Sequence, residues 1–197
     1  MAGVENALLV QRIENNLVIV FNRPQLRSPL SISVLEALHR IVDECARDAG
    51  LEKLIFTGRE KVFASGADLR EIAAVTAETA REFALRGQTL MSKIAGVRAL
   101  TMAAVNGFCF GGALDLALAC RRRIAAPAAE FSHPSANLGI VTGWGGTQRL
   151  PRLVGEARAL EIFLTGKRIS AAEALAIGLV DEISDDPRAA ALDSRFR

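Results

Sequence analysis

The chain is poor in cysteine, in net charge and in segments that would export or anchor it, and each shortage removes a class of function. Its three cysteines, Cys45, Cys109 and Cys120, are odd in number, widely spaced and set in apolar stretches. That fits reduced core thiols better than a disulfide framework or a metal site, and no metal is expected. Lys+Arg 24 against Asp+Glu 22 leaves a formal charge of +2, too balanced to draw DNA, RNA or an acidic membrane from a distance. Met1-Ala2-Gly3-Val4-Glu5 has neither the basic flank nor the apolar centre of a secretory signal. Leu100 to Cys120 is largely apolar and is followed by Arg121-Arg122-Arg123, but Asp115 and Asn106 would lie within any span there. An aspartate near the middle of a span costs ~2.5–3.5 kcal/mol, so a buried strand, turn and helix fit better. A cytoplasmic protein with no nucleic-acid or membrane partner is expected. Two chemical fingerprints are also missing: no turn spells Gly-x-Gly-x-x-Gly, and there is no Gly-x-Ser-x-Gly elbow.

What is present is enough apolar material for a core. With 197 residues, 50% hydrophobic and 23% charged, the chain predicts one compact domain over residues 1–183 and a frayed polar tail over 184–197. Leu8 to Ile13 and Leu17 to Phe21 read as a hairpin. Ser33 and Glu36 stand at capping-box spacing and predict a helix to about Ala49, and a buried strand follows over Lys53 to Thr57. Thr79 and Glu82 form a second box, in a long helix closed by Gly96. Thr101 to Val105, a turn at Asn106-Gly107, a helix over Gly112 to Ala119 and a strand over Arg123 to Ala126 then repeat the alternation. Ser170 and Glu173 form a third box. Strands alternating with helices predict an α/β fold with parallel strands and helical crossovers.

Two glycine-rich turns, Phe63-Ala64-Ser65-Gly66-Ala67-Asp68 and Gly107-Phe108-Cys109-Phe110-Gly111-Gly112-Ala113, each follow an apolar strand and precede a helix. The first N–H groups of a helix have no partner inside it, so two such turns can aim two donors at one oxyanion. Asp115, three residues past Gly112, falls on the first turn of its helix beside any ligand held there. Its apolar neighbours Leu114 and Leu116 make it costly to bury without a partner. His133 and Ser135 would share a face if their segment were extended. Gly143-Trp144-Gly145-Gly146 is another loop entering a helix.

From Phe21-Asn22-Arg23-Pro24 to Gly178-Leu179-Val180 the sequence resembles the enoyl-CoA hydratase/isomerase family, the crotonase superfamily. The likeness is carried by Ser65-Gly66-Ala67-Asp68-Leu69, Ala104-Val105-Asn106-Gly107, Gly111-Gly112, Gly145-Gly146-Thr147-Gln148-Arg149-Leu150 and Leu164-Thr165-Gly166-Lys167-Arg168-Ile169-Ser170-Ala171. The resemblance implies a spiral of ββα units and an acyl-CoA thioester substrate, with coenzyme A as part of the substrate and no separate cofactor. It implies an oxyanion hole made by the N–H groups of Ala67 and Gly112, and coenzyme A contacts at Leu26, Arg27, Ala64, Asp68 and Leu69. It also implies a homo-oligomer, a trimer or one built from trimers. The family's C-terminal helical domain is expected to be truncated here, since the chain stops at Arg197.

In the hydratases two glutamates flank the substrate, and they align with Asp115 and Ser135. A serine near its ordinary pKa neither activates water nor delivers a proton well, whereas a lone carboxylate can still move a proton between carbons of an enolate. His133 is a candidate second acid or base. The resulting expectation is an acyl-CoA enzyme of the hydratase/isomerase type. Its alternatives are a noncatalytic acyl-CoA-binding homologue and, more weakly, a hydrolase built from Ser135, His133 and Asp115.

Overall fold

The computed structural model describes residues 7–193. It opens on a hairpin, β1 (Leu8–Ile13) and β2 (Asn16–Phe21), paired antiparallel with Leu8 opposite Phe21. Helix α1 (Ile32–Arg47) follows. Then comes a repeating strand, strand, helix pattern: β3 (Lys53–Gly58) and β4 (Val62–Ala64) lead to α2 (Leu69–Ala73) and α3 (Ala77–Gly96). Next, β5 (Leu100–Val105) and β6 (Phe108–Phe110) lead to α4 (Gly112–Ala119), and β7 (Arg122–Ala125) and β8 (Glu130–Ser132) to a short 3-10 helix, Pro134–Leu138. The chain continues through α5 (Gly146–Val154), α6 (Glu156–Thr165), β9 (Ile169–Ser170), α7 (Ala171–Ala176), β10 (Glu182–Ile183) and α8 (Pro187–Asp193).

Successive units deal their strands to different sheets. A six-stranded sheet runs β1-β2-β3-β5-β7-β10 and a four-stranded sheet runs β4-β6-β8-β9. Among the described residues, every pairing between these strands apart from β1–β2 and β8–β9 is parallel. This is the expected spiral of ββα units.

Alternation along the strands explains the layers, because successive side chains leave a strand on opposite faces. Leu54 and Phe56 of β3, with Ala103 and Val105 of β5, enter the main core around α4. Ile55, Met102 and Ala104 face the other side. That second face corrects the expected frayed tail. Residues 187–193 form α8, and Ala190, Ala191 and Leu192 pack onto Val18, Ile55, Met102 and Ile124. Lys53 Nζ secures the helix by donating to the carbonyls of Ala191 and Leu192. Residues 194–197 lie outside the described residues.

The caps also differ in detail from the spacing argument. Ser31, not Ser33, caps α1, its Oγ accepting from Val34 N at 3.4 Å. In α3 the capping box is Thr76 with Thr79, so Thr79 is the third helical residue, not the cap. Ser170 caps α7 as expected, accepting from Glu173 N at 3.2 Å. The three cysteines are buried and free. Burial pushes the Cys45 thiol up to about 11 and the Cys120 thiol up to about 12, so both stay protonated and act as small apolar groups. Among the described residues, no helix is long and apolar enough to cross a membrane.

Candidate active site

Strands β4 and β6 are neighbours, so the turns that follow them lie side by side. Gly66, at φ +87°, is the point of closest approach: a Cβ there would stand 2.7 Å from Gly112 N and 2.7 Å from Phe110 O. Only a residue without a side chain permits that approach in that conformation. Leu30 N donates to Gly66 O at 2.8 Å. Across a trans peptide the carbonyl of one residue and the N–H of the next point in opposite directions, so the Ala67 N–H is turned away from Leu30. Gly112 is the first residue of α4, and its N–H has no acceptor within the helix. Among the described residues, neither amide donates to a backbone carbonyl. Both residues line one cavity of ≈ 400 Å³.

Asp115 also lines this cavity, although its exposure is 0%. Its Oδ2 accepts a hydrogen bond from the Thr142 hydroxyl. Its Oδ1 lies 3.2 Å from His133 Nε2, close enough for an ion pair but out of line for a hydrogen bond, so that oxygen and both imidazole nitrogens have no hydrogen-bond partner. The start of α5 presses on the same oxygen, since a Cβ on Gly146 would stand 2.1 Å from Oδ1. A buried polar atom without a partner costs ~1–3 kcal/mol. Of the four such side-chain atoms among the described residues, three are gathered at Asp115 and His133. Stability does not account for that grouping, and a catalytic role is one physical reason for it.

Ser135 lines the cavity, half-buried, whereas His133 does not and is fully buried. The expectation of a shared strand face fails because β8 ends at Ser132. Pro134 then starts the 3-10 helix, with His133 at its N-cap. This turns the imidazole inward onto the ring of Phe163, at a centroid distance of 5.1 Å. No hydrogen bond joins His133 to Ser135, so the Ser135, His133 and Asp115 arrangement required for a hydrolase is not assembled.

The opposite wall is Trp144, the only tryptophan of the chain. Its ring is wedged between α3 and α4: a Cβ on Gly87 or on Gly112 would stand 2.2 or 2.3 Å from it. Gln88 of α3 fixes the same loop by donating to Gly143 O at 2.8 Å. The rim is apolar and open, with Leu69 59% and Val141 73% exposed. Of the five positions expected to meet coenzyme A, Leu69 lines the cavity, and Leu26 and Arg27 stand exposed on the turn that leads to Leu30. Ala64 is fully buried, so only its main chain is available to a ligand. The Asp68 carboxylate caps α2 through Arg70 N and pairs with the Arg70 guanidinium at 2.8 Å. That guanidinium holds its carboxyl below the ordinary range.

Residues 12–194 match the sequence profile described as enoyl-CoA hydratase/isomerase. The chain belongs to the enoyl-CoA hydratase/isomerase family. Within that family it is 41% identical over 185 residues to a probable enoyl-CoA hydratase of Bacillus subtilis (strain 168), a match covering 91% of this chain and 71% of that protein. It is 40% identical over 177 residues to the crotonyl-CoA hydratase of Syntrophomonas wolfei, covering 89% and 68%. Among solved structures, Pseudomonas aeruginosa DspI agrees with a TM-score of 0.91 at 35% identity, covering 98% of this chain and 80% of that one. An enoyl-CoA hydratase from Bacillus anthracis agrees at 0.86 and 37%, covering 90% and 70%. Sequence reasoning about this family member missed Thr142 and the placement of Trp144. The Gly143-Trp144-Gly145-Gly146 loop was a visible signal, but nothing local indicates that it folds back over Asp115.

Proposed function

We propose that this member of the enoyl-CoA hydratase/isomerase family binds an acyl-coenzyme A thioester and catalyses proton transfer next to its carbonyl. The observation that carries the reading is the convergence of two unpaired amides, Ala67 and Gly112, and one buried carboxylate, Asp115, on a single apolar cavity. As the enolate forms, negative charge moves onto the thioester oxygen. Donors already fixed in place stabilise that charge without reorganising, each by ~2.7–4 kcal/mol. Asp115, one helical turn from Gly112, takes the proton from the acyl chain and returns it.

Ser135 favours a second reading, a noncatalytic acyl-CoA binder, because it lines the cavity where a second carboxylate would be needed to activate water. Binding and turnover measured side by side separate the two readings. Titration with crotonyl-CoA should change Trp144 fluorescence saturably, and the absorbance of the conjugated thioester should fall with time. Saturation without turnover would favour the binder, and no saturation would overturn both readings. Ser135→Glu is expected to raise the hydration rate of crotonyl-CoA, measured by the same absorbance, because it restores an acid/base group at the cavity wall. An unchanged rate would mean that the missing carboxylate does not limit hydration.

A further inference from the structure

Asp115 and Thr142 both line the cavity, whereas His133, which meets the same carboxylate, does not. Thr142, from the loop that precedes α5, donates to Oδ2. Oδ1 faces only the imidazole of His133 at 3.2 Å and the main chain at Gly146. The imidazole is 0% exposed, packs on Phe163 and is cut off from the cavity, so it reaches neither substrate nor solvent. A histidine kept only for packing would have its nitrogens bonded, or would be replaced by an apolar residue at no loss. Among the described residues neither nitrogen has a hydrogen-bond partner, and Nε2 lies 3.2 Å from the Asp115 carboxylate.

We infer that His133 is a positioning residue for Asp115: its Nε2–H donates to Oδ1 while Thr142 donates to Oδ2. The two donors fix the rotation of the carboxylate about its last bond and so aim it at the acyl chain. A carboxylate only accepts, so the imidazole must carry a proton on Nε2 to donate to it. At 3.2 Å a small rotation of either side chain brings Nε2–H into line with Oδ1. The inference rests on Asp115 being the proton-transfer group.

The test is a set of variants measured for kcat, for KM and for binding by Trp144 fluorescence. His133→Leu is expected to lower kcat by about 10- to 100-fold, the cost of a misdirected catalytic group, with binding unchanged. His133→Gln, whose amide N–H can reach the same oxygen, should recover most of that loss. If His133→Leu does not fold, His133→Met has the length of glutamine without a donor and takes its place. Added to Asp115→Asn, the loss of the imidazole should have no further effect on kcat, because the two side chains act as a unit. Equal kcat in the leucine and glutamine variants, or an undiminished effect of His133→Leu in the Asp115→Asn background, would overturn the positioning role. Wild-type turnover in Asp115→Asn alone would instead remove the reading on which it rests.

Discussion

Asp115→Asn is expected to lower enoyl-CoA turnover by about 10²–10⁴-fold, the range in which positioned acid/base groups contribute, while leaving affinity nearly intact. The substitution keeps the shape of the side chain. Its amide oxygen can still accept from the Thr142 hydroxyl that now bonds Oδ2, and Gly146 leaves no room for anything larger beside Oδ1. What is lost is the capacity to hold and release a proton. Initial rates with crotonyl-CoA, set beside a Trp144 fluorescence titration, separate chemistry from binding. Turnover equal to that of the wild type would place the proton-transfer group elsewhere in the cavity.

The parts of this site that were legible in the sequence are those defined by local pattern. Helix α4 was predicted over Gly112 to Ala119 and has those bounds, because a Gly-Gly pair followed by an apolar run marks a helix start that needs no distant partner. The large-sheet strands β2, β3, β5 and β7 were visible as apolar runs. Most of the small sheet was not: β4, β6, β8 and β9 are two or three residues each, too short for a two-residue period to show. Helix α8 reads as a polar tail in the sequence because its burial depends on an outer sheet face around Ile55 and Met102 that only the assembled fold reveals. The same distinction divides the site residues. Ala67, Gly112 and Asp115 sit in or beside turns that signal themselves. Thr142 meets Asp115 across 27 residues of sequence, along a loop path set by Gln88 and by the Trp144 ring. His133 failed for a local reason: a proline next to a strand end rotates the chain, and Pro134 sent the imidazole inward and Ser135 outward.

Gly66→Ala tests whether the two turns work as one device, and it should cost kcat about 10²–10³-fold, the effect of losing one fixed donor of an oxyanion hole. The added methyl meets main chain on both sides, Gly112 N and Phe110 O at 2.7 Å. Neither can rotate away as a flexible side chain would, so the turns must separate or the Gly66 backbone must shift, and either displaces the Ala67 N–H relative to that of Gly112. The left-handed backbone at φ +87° adds strain of ~1–2 kcal/mol for any L side chain, which would lower stability whatever the turns do. Gly155→Ala isolates that part. Gly155 lies between α5 and α6 at φ +81° and ψ 156°, a backbone region that is essentially glycine-only, with no atom within 4 Å of where a Cβ would sit, so its variant should carry a positive-φ strain of ~1–3 kcal/mol and keep its kcat. Thermal melts and kcat measured together therefore decide the matter. If both variants lose stability but only Gly66→Ala loses turnover, the paired amides act as one site; if both keep their turnover, the spacing of the two turns has no bearing on the chemistry.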